Sequence, residues 1–108
     1  MTLNIALLSS LLSASAAHAE MPRYDVEAHC KQVASVGGAY SASLYNGCFD
    51  MEQSAYNSLR SRWDGLPASM RKHCDDVASF AGVGSYSLLE GCIRMEEDAA
   101  RQPKKFEY

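Results

Sequence analysis

The strongest constraint on the fold of this chain is an internal repeat. Shifted by 44 positions, residues 29–55 match residues 73–99 without a gap, and 14 of the 27 aligned positions are identical. The matches include a His-Cys pair, a Gly-Cys pair and a Met-Glu pair. Self-similarity at a fixed period indicates two copies of one supersecondary unit. We place the join between the copies near residues 63–67.

Each copy predicts a helical hairpin. Apolar residues recur at helical intervals in the second arms, namely Leu44, Cys48, Met51, Ala55 and Leu59 in copy one and Leu88, Cys92, Met95 and Ala99 in copy two. The first arms repeat this spacing at Val26, Cys30 and Val33 and at Met70, Cys74 and Val77. We expect these stripes to form the core. The predicted fold is all-α: four helices, near residues 24–36, 43–63, 67–80 and 87–101, form two tandem hairpins packed into one small domain.

Turn and cap residues fit these boundaries. The Gly37-Gly38 pair and Gly82 supply backbone freedom where each first arm must end. Residues 87–90 have the S-x-x-E pattern of a capping box, which predicts Ser87 as the N-cap of the fourth helix. Ser43 occupies the matching place in copy one. Pro67 suits the first turn of the third helix.

The N-terminus has the pattern of a secretory signal peptide. Residues 3–12 are an uncharged, largely apolar run, and Ala17-His18-Ala19 forms an A-x-A cleavage site. A spanning helix needs about 20 apolar residues, twice this length. We expect residues 1–19 to be removed, leaving 108 − 19 = 89 residues. They are predicted to form a single helical domain, residues 20–108, with repeats at about 24–63 and 67–101 and a short flexible tail. The expected location is periplasmic or secreted.

Export determines how the four cysteines are interpreted. Outside the cytosol, four thiols in a small chain usually form two disulfides. Three connectivities are possible. We favour Cys30–Cys48 with Cys74–Cys92, because helical geometry puts each pair at nearly one height on adjacent antiparallel helices. Each bridge would contribute about 3 kcal/mol in the chain-entropy model. A redox role is the alternative, which we disfavour because catalytic thiols are normally exposed.

The only histidines after residue 19 are candidate metal ligands. His29 and His73 each precede a cysteine directly, and their recurrence suggests copper or zinc binding, with Met51 or Met95 as a further ligand. The alternative, which we favour, is a partly exposed histidine inherited by both copies through duplication.

Two glutamates also recur. Glu52 and Glu96 lie four residues beyond the second cysteine of each copy and could act in acid–base chemistry. We expect instead a solvated helix face or pairing with an arginine such as Arg60 or Arg94. No H-E-x-x-H, G-x-S-x-G or EF-hand pattern occurs in the sequence. We therefore predict no enzymatic activity and no cofactor. A net charge of −3 without a basic block argues against a nucleic-acid partner.

The second and fourth helices carry more apolar residues than one stripe requires. The loops and extra faces form a candidate partner surface, which comprises Tyr40, Tyr45, Phe49, Tyr56, Tyr86, Leu89 and Ile93. The alternative is that the two hairpins bury these faces against each other as a four-helix domain.

The copies, with their C-x17-C spacing, G-x-Y-S loop and G-C-x-x-M-E second arm, resemble short exported bacterial proteins of unassigned function. The resemblance covers residues 29–52 and 73–96 and implies export and a two-copy architecture, but no activity. Our first functional hypothesis is a non-enzymatic binding or structural module of the cell envelope whose partner is another envelope protein. The alternatives are a periplasmic chaperone or enzyme inhibitor, and a weak copper or zinc binder using the repeat histidines.

Overall fold

The computed structural model describes residues 19–108 and shows four α-helices and no strand within that range. The helices are α1 (Val26–Ala34), α2 (Ala42–Arg60), α3 (Ala68–Ala78) and α4 (Tyr86–Arg101), with a 3-10 turn at Trp63–Gly65. The predicted all-α fold is confirmed. No helix in the described range is long and apolar enough to cross a membrane. The predicted signal peptide lies, but for its last residue, outside the described residues.

Two disulfides staple the helices into hairpins. Helix α1 packs on α2, α3 packs on α4, and α2 and α4 join the two hairpins. Cys30 is bonded to Cys48 and Cys74 to Cys92, each pair with its Cα atoms 5.5 Å apart. The predicted pairing is confirmed, and each hairpin is closed near its loop.

Serines start the long helices, but they are not the predicted ones. The hydroxyls of Ser41 and Ser85 accept hydrogen bonds from the amides of Leu44 and Leu88, at 3.2 and 3.3 Å. The chain stays extended up to these serines, with φ of −116° and −135°, so each cap lies two residues earlier than predicted. The prediction of Ser43 and Ser87 as caps is wrong. Pro67 likewise precedes the first residue of α3 as its N-cap.

The glycines of the turns have the conformation expected of them. Gly38 and Gly82 take φ of 90° and 100°, in the left-handed region that side-chain-bearing residues rarely adopt. These two positions are identical in both copies because each hairpin reverses through the same turn.

The core lies where the second hairpin meets α2. Leu59 of α2 and Leu89 and Ile93 of α4 are fully buried, and Trp63 of the connection is 4% exposed. The two hairpins therefore do bury extra apolar faces against each other.

The predicted core stripes are wrong along much of α2 and α4. Leu44 and Met51 are 51% and 65% exposed, and Leu88 and Met95 are 57% and 73% exposed. In α4, the buried positions Leu89 and Ile93 each lie one residue after a predicted stripe position, a rotation of about 100° around the helix. Periodicity identified two apolar faces, and the packing of α2 on α4 decided which of them is buried.

The segment before α1, residues 19–25, packs against the second hairpin. The hydroxyl of Tyr24 donates to Asp75 at 2.6 Å, and its amide donates to the hydroxyl of Tyr86 at 3.0 Å. The indole of Trp63 donates to the carbonyl of Glu20 at 3.1 Å. Burial, followed by the hydrogen bond to Asp75, raises the pKa of Tyr24 well above its ordinary value. The start of the described chain thus stabilises the second repeat.

Candidate functional site

An open apolar groove of about 480 Å³ runs along α2. Its apolar lining comes from Val33 of α1, Leu44 and Met51 of α2, and Leu88 of α4, beside the sulfur of Cys48. These helices present the side chains outward because α2 and α4 meet through their other faces. We call this depression the first groove.

The second repeat carries an equivalent depression of about 400 Å³, which we call the second groove. Val77, Leu88 and Met95 line it beside Cys92. These residues lie 44 positions after Val33, Leu44, Met51 and Cys48. The duplication has therefore produced two copies of one exposed apolar site.

The two grooves adjoin and have an acidic rim. Both are lined by Ser87 and Leu88, so they form one continuous surface, the double groove. A neighbouring depression between α2 and α4 shares Met51 with the first groove and adds charged residues. Together the three linings contain four carboxylates and one guanidinium, from Asp50, Glu52, Glu90, Glu96 and Arg94.

Glu52 lies at the edge of the first groove and binds the start of α4. Its carboxylate accepts from the Ser85 hydroxyl at 2.8 Å, the Tyr86 amide at 2.6 Å and the Ser87 amide at 3.3 Å. A carboxylate at a helix N-terminus satisfies unpaired amides and interacts favourably with the helix dipole. Glu52 of the first repeat is thus an inter-repeat cap for the second repeat.

The repeat-equivalent glutamate has a different environment. Glu52 is 2% exposed, whereas the side chain of Glu96 is 46% exposed. Our expectation of a solvated Glu52, or one paired with Arg60, is wrong, because Glu52 is buried on the start of α4. Arg94 pairs with Glu90 at 3.2 Å. No local sequence pattern could have revealed the role of Glu52, since its hydrogen-bond partners lie 33 or more residues away.

Each candidate histidine ligand lies beside the glutamate of its own repeat. His29 Nε2 is 3.8 Å from Glu52, and His73 Nε2 is 3.6 Å from Glu96. Among the described residues, no group of three or more histidine, cysteine, aspartate or glutamate side chains could hold a metal ion. The pairs supply at most two of the ligands that zinc or copper normally takes.

The predicted partner surface is divided by the fold. Tyr45 contacts both Tyr40 and Phe49, with ring centroids 6.2 and 6.3 Å apart, in a row that is at least partly exposed. Three predicted members, Tyr86, Leu89 and Ile93, are buried. Their inclusion in an exposed surface is wrong because they form the contact between the hairpins.

The remaining predicted member, Tyr56, belongs to another aromatic cluster. Tyr56 is half-buried against Tyr86, with ring centroids 5.0 Å apart, and the ring of Tyr24 also contacts that of Tyr86, with centroids 4.7 Å apart. This cluster holds the segment 19–25 on the second hairpin and is separate from the exposed row.

The double groove itself was missed because its residues were assigned to the core. One signal in the sequence distinguishes them. The groove residues Leu44 and Met51 recur unchanged as Leu88 and Met95, whereas the buried Leu89 and Ile93 replace Tyr45 and Phe49. At these positions the exposed groove residues are identical in both copies and the buried ones differ, although Glu52 and Ala55 of the contact also recur unchanged.

Comparison with family models, with curated proteins and with solved structures finds no match for this chain. The resemblance to short exported C-x17-C proteins therefore stays a prediction.

Proposed function

We propose that this protein is an exported, non-enzymatic binding module of the cell envelope, and that its double groove binds an apolar segment of another polypeptide. The observation that supports this most directly is the exposure of Leu44, Met51, Leu88 and Met95 in a continuous surface. Contiguous exposed apolar patches are uncommon on monomeric proteins and mark interaction sites.

The shape of the surface fits a helical ligand. Leu44 and Met51 lie seven residues apart on α2, and Leu88 and Met95 lie seven apart on α4, a rise of about 10 Å in each case. An amphipathic helix offers anchors at i, i+3 or i+4 and i+7 over the same length. Methionine side chains adapt to differently shaped partners. The two disulfides fix the helices that carry these anchors.

The rim favours a basic ligand. The exposed carboxylate of Glu96 and the buried one of Glu52 line the double groove, and the depression beside it adds Asp50 and the Glu90–Arg94 pair. A second copy of the same face would bring like charges together, which opposes self-association through it. We therefore take the ligand to be an amphipathic segment with leucine-like anchors and lysine or arginine on its polar face.

Binding of this kind would suit a chaperone or an enzyme inhibitor.

The residues near the first groove support a hydrolytic activity less well than they support binding. Glu52 lies between Ser85 and His29, and the hydroxyl of Ser85 already takes part in the cap of α4. Nucleophilic catalysis requires the base beside the hydroxyl instead.

The test is binding of three labelled peptides of one length, with leucine on the apolar face and lysine, glutamine or glutamate on the polar face. We expect affinity to fall in that order and the difference to shrink with salt. Leu88→Ser removes an anchor shared by both grooves and is expected to weaken binding about tenfold. Phe80→Ser, at a side chain 92% exposed outside the grooves, is the matched control.

Two results would contradict the proposal. The first is that Leu88→Ser binds the lysine peptide as tightly as the unsubstituted protein does. The second is that a peptide of identical composition but scrambled order, which has no apolar face, binds equally well. If all three ordered peptides bind equally well and Leu88→Ser weakens their binding, the groove is the binding site but does not prefer a basic ligand.

A metal role is the second candidate, supported by the recurrence of a His–Glu pair in both repeats. Titration with Cu²⁺ or Zn²⁺ against the double variant His29→Ala/His73→Ala tests it. Equal binding by both proteins would end this hypothesis.

A further inference from the structure

We propose that copies of this protein associate head to tail, with the second repeat of one copy packing on the first repeat of the next. The contact would reproduce the one between the repeats within a chain. That internal contact joins α2 to α4. Its residues have counterparts 44 positions away in the other repeat, and these counterparts lie at the two ends of the molecule without an equivalent neighbour in the described chain.

One end is formed by the C-terminal half of α4. In the internal contact, α2 contributes Glu52 and Ala55, which are 2% and 4% exposed. Their counterparts on α4 are Glu96 and Ala99, and both are exposed. Among residues 19–108, nothing covers this face. We call it the tail face.

The other end is formed by the start of α2. In the internal contact, α4 contributes Leu89 and Ile93, both fully buried. Their counterparts are Tyr45 and Phe49, and Phe49 is 42% exposed. The first repeat thus has aromatic side chains at the two positions that are aliphatic in the second repeat. We call this surface the head face.

The cap across the internal contact also has an unused counterpart. Within the chain, Glu52 accepts the amides of residues 86 and 87 at the start of α4. The equivalent amides, of residues 42 and 43, have no carboxylate partner among residues 19–108. Glu96, the equivalent carboxylate, lies on the tail face. Stacking one copy on the next would bring this carboxylate to those amides.

Stacking would also complete the second groove. The first groove is walled on one side by Ser85, Ser87 and Leu88, which belong to the following repeat. Within residues 19–108, the second groove is lined by the second repeat alone, so it lacks the wall that a following repeat gives the first groove. The start of α2 of a second copy, with Ser41 and Leu44 at the equivalent positions, would supply the missing wall.

The symmetry of this association determines its form. A contact between two different faces is heterologous and leaves one face free at each end, so addition can continue. The internal contact has the advantage of a covalent connection, which raises the effective concentration of the partner to about millimolar. Association between copies lacks that advantage, and we expect it at high protein concentration.

The experiment is sedimentation velocity on the oxidised protein at concentrations up to about 1 mM. One variant, Glu96→Ala with Ala99→Arg, blocks the tail face. A second variant, Phe49→Asp, blocks the head face. All three positions are exposed in the monomer, and far-UV circular dichroism verifies the fold of each variant. Phe80→Asp is the control, since Phe80 is 92% exposed and belongs to neither face.

We expect the unsubstituted protein and the Phe80→Asp control to form a concentration-dependent series of oligomers, and each blocked variant alone to remain monomeric. An equimolar mixture of the two blocked variants should form dimers and nothing larger, because only one head and one tail remain functional. A monomeric unsubstituted protein over the whole range would overturn the proposal. So would a mixture that stays monomeric, or a blocked variant that still associates, because either indicates a different contact.

Discussion

Replacing Glu52 with alanine should destabilise the protein far more than the same replacement at Glu96. The change leaves the buried Tyr86 amide and the Ser87 amide without an acceptor. An orphaned buried donor costs about 1–3 kcal/mol, and loss of a carboxylate from a helix N-terminus costs about 0.3–2 kcal/mol. We expect Glu52→Ala to lower the free energy of unfolding by about 3 kcal/mol. For a domain of this size, that corresponds to a fall in Tm of roughly 12–24 °C.

The internal repeat provides the matched control. Glu96 has the same position in its repeat, but its side chain is 46% exposed and borders no helix start within the described chain. Glu96→Ala should therefore change the stability by less than about 0.5 kcal/mol. Glu52→Gln keeps one acceptor oxygen and the side-chain shape, so it should fall between the two.

The assay is urea unfolding of the oxidised proteins, followed by far-UV circular dichroism at low protein concentration. Equal m-values would allow the midpoints to be compared as stabilities. If Glu52→Ala and Glu96→Ala differ by less than about 0.5 kcal/mol, the cap across the repeats contributes nothing to stability and the reasoning fails.

Three further predictions concern the covalent and aromatic contacts. The double replacement of Cys30 and Cys48 by serine should lower the free energy of unfolding by about 3 kcal/mol in urea titrations, since it opens a loop closed by residues 18 apart; a change below about 1 kcal/mol would contradict this. Gly84→Ala should destabilise by about 1–3 kcal/mol because its methyl would overlap the ring of Tyr24, whereas Gly91→Ala, with open space around it inside a helix, should stabilise by up to about 1 kcal/mol. Equal effects of these two glycine variants in thermal unfolding would refute the close contact. Because the pKa of Tyr24 is raised in the folded state, the unfolded state ionises first, so its stabilising effect is complete below about pH 10 and is lost as the pH rises further. Tyr24→Phe should therefore show a weaker loss of stability between pH 9 and 11 than the unsubstituted protein, and parallel profiles would contradict the assignment.

The disulfide pairing was predictable because it depends on local quantities. The spacing of Cys30 and Cys48, the position of the turn and the rise of a helix together fix the height of each sulfur above the loop. Cys74 and Cys92 have the same spacing, so the same reasoning predicts their disulfide. The helix boundaries were predicted to within a few residues for the same reason, although the N-caps Ser41 and Ser85 lie two residues before those predicted.

The burial pattern was not predictable from one helix at a time. In α4, both Leu88 and Leu89 are large and apolar, and each begins a stripe with helical spacing. Only contact with α2, which is distant in sequence, determines that Leu89 is buried and Leu88 is exposed. The same long-range contact buries Glu52, a residue type that sequence reasoning places in solvent.

The two repeats are alike in sequence but unequal in the structure, and the inequality follows from their order. The second repeat receives the Glu52 cap from the repeat before it and the ring of Tyr24 from the segment before α1. The close approach of Tyr24 requires a glycine, and the chain has Gly84 there, whereas the first repeat has Tyr40 at the equivalent position. Among residues 19–108, the first repeat receives neither contact, and its own start of α2 is exposed beside Tyr40. Duplication followed by adaptation of one contact thus explains both features on which the proposals depend. The recurring leucine and methionine of the copies remain outside in the double groove, and the C-terminal half of α4 and the start of α2 keep exposed counterparts of the surfaces that join the repeats.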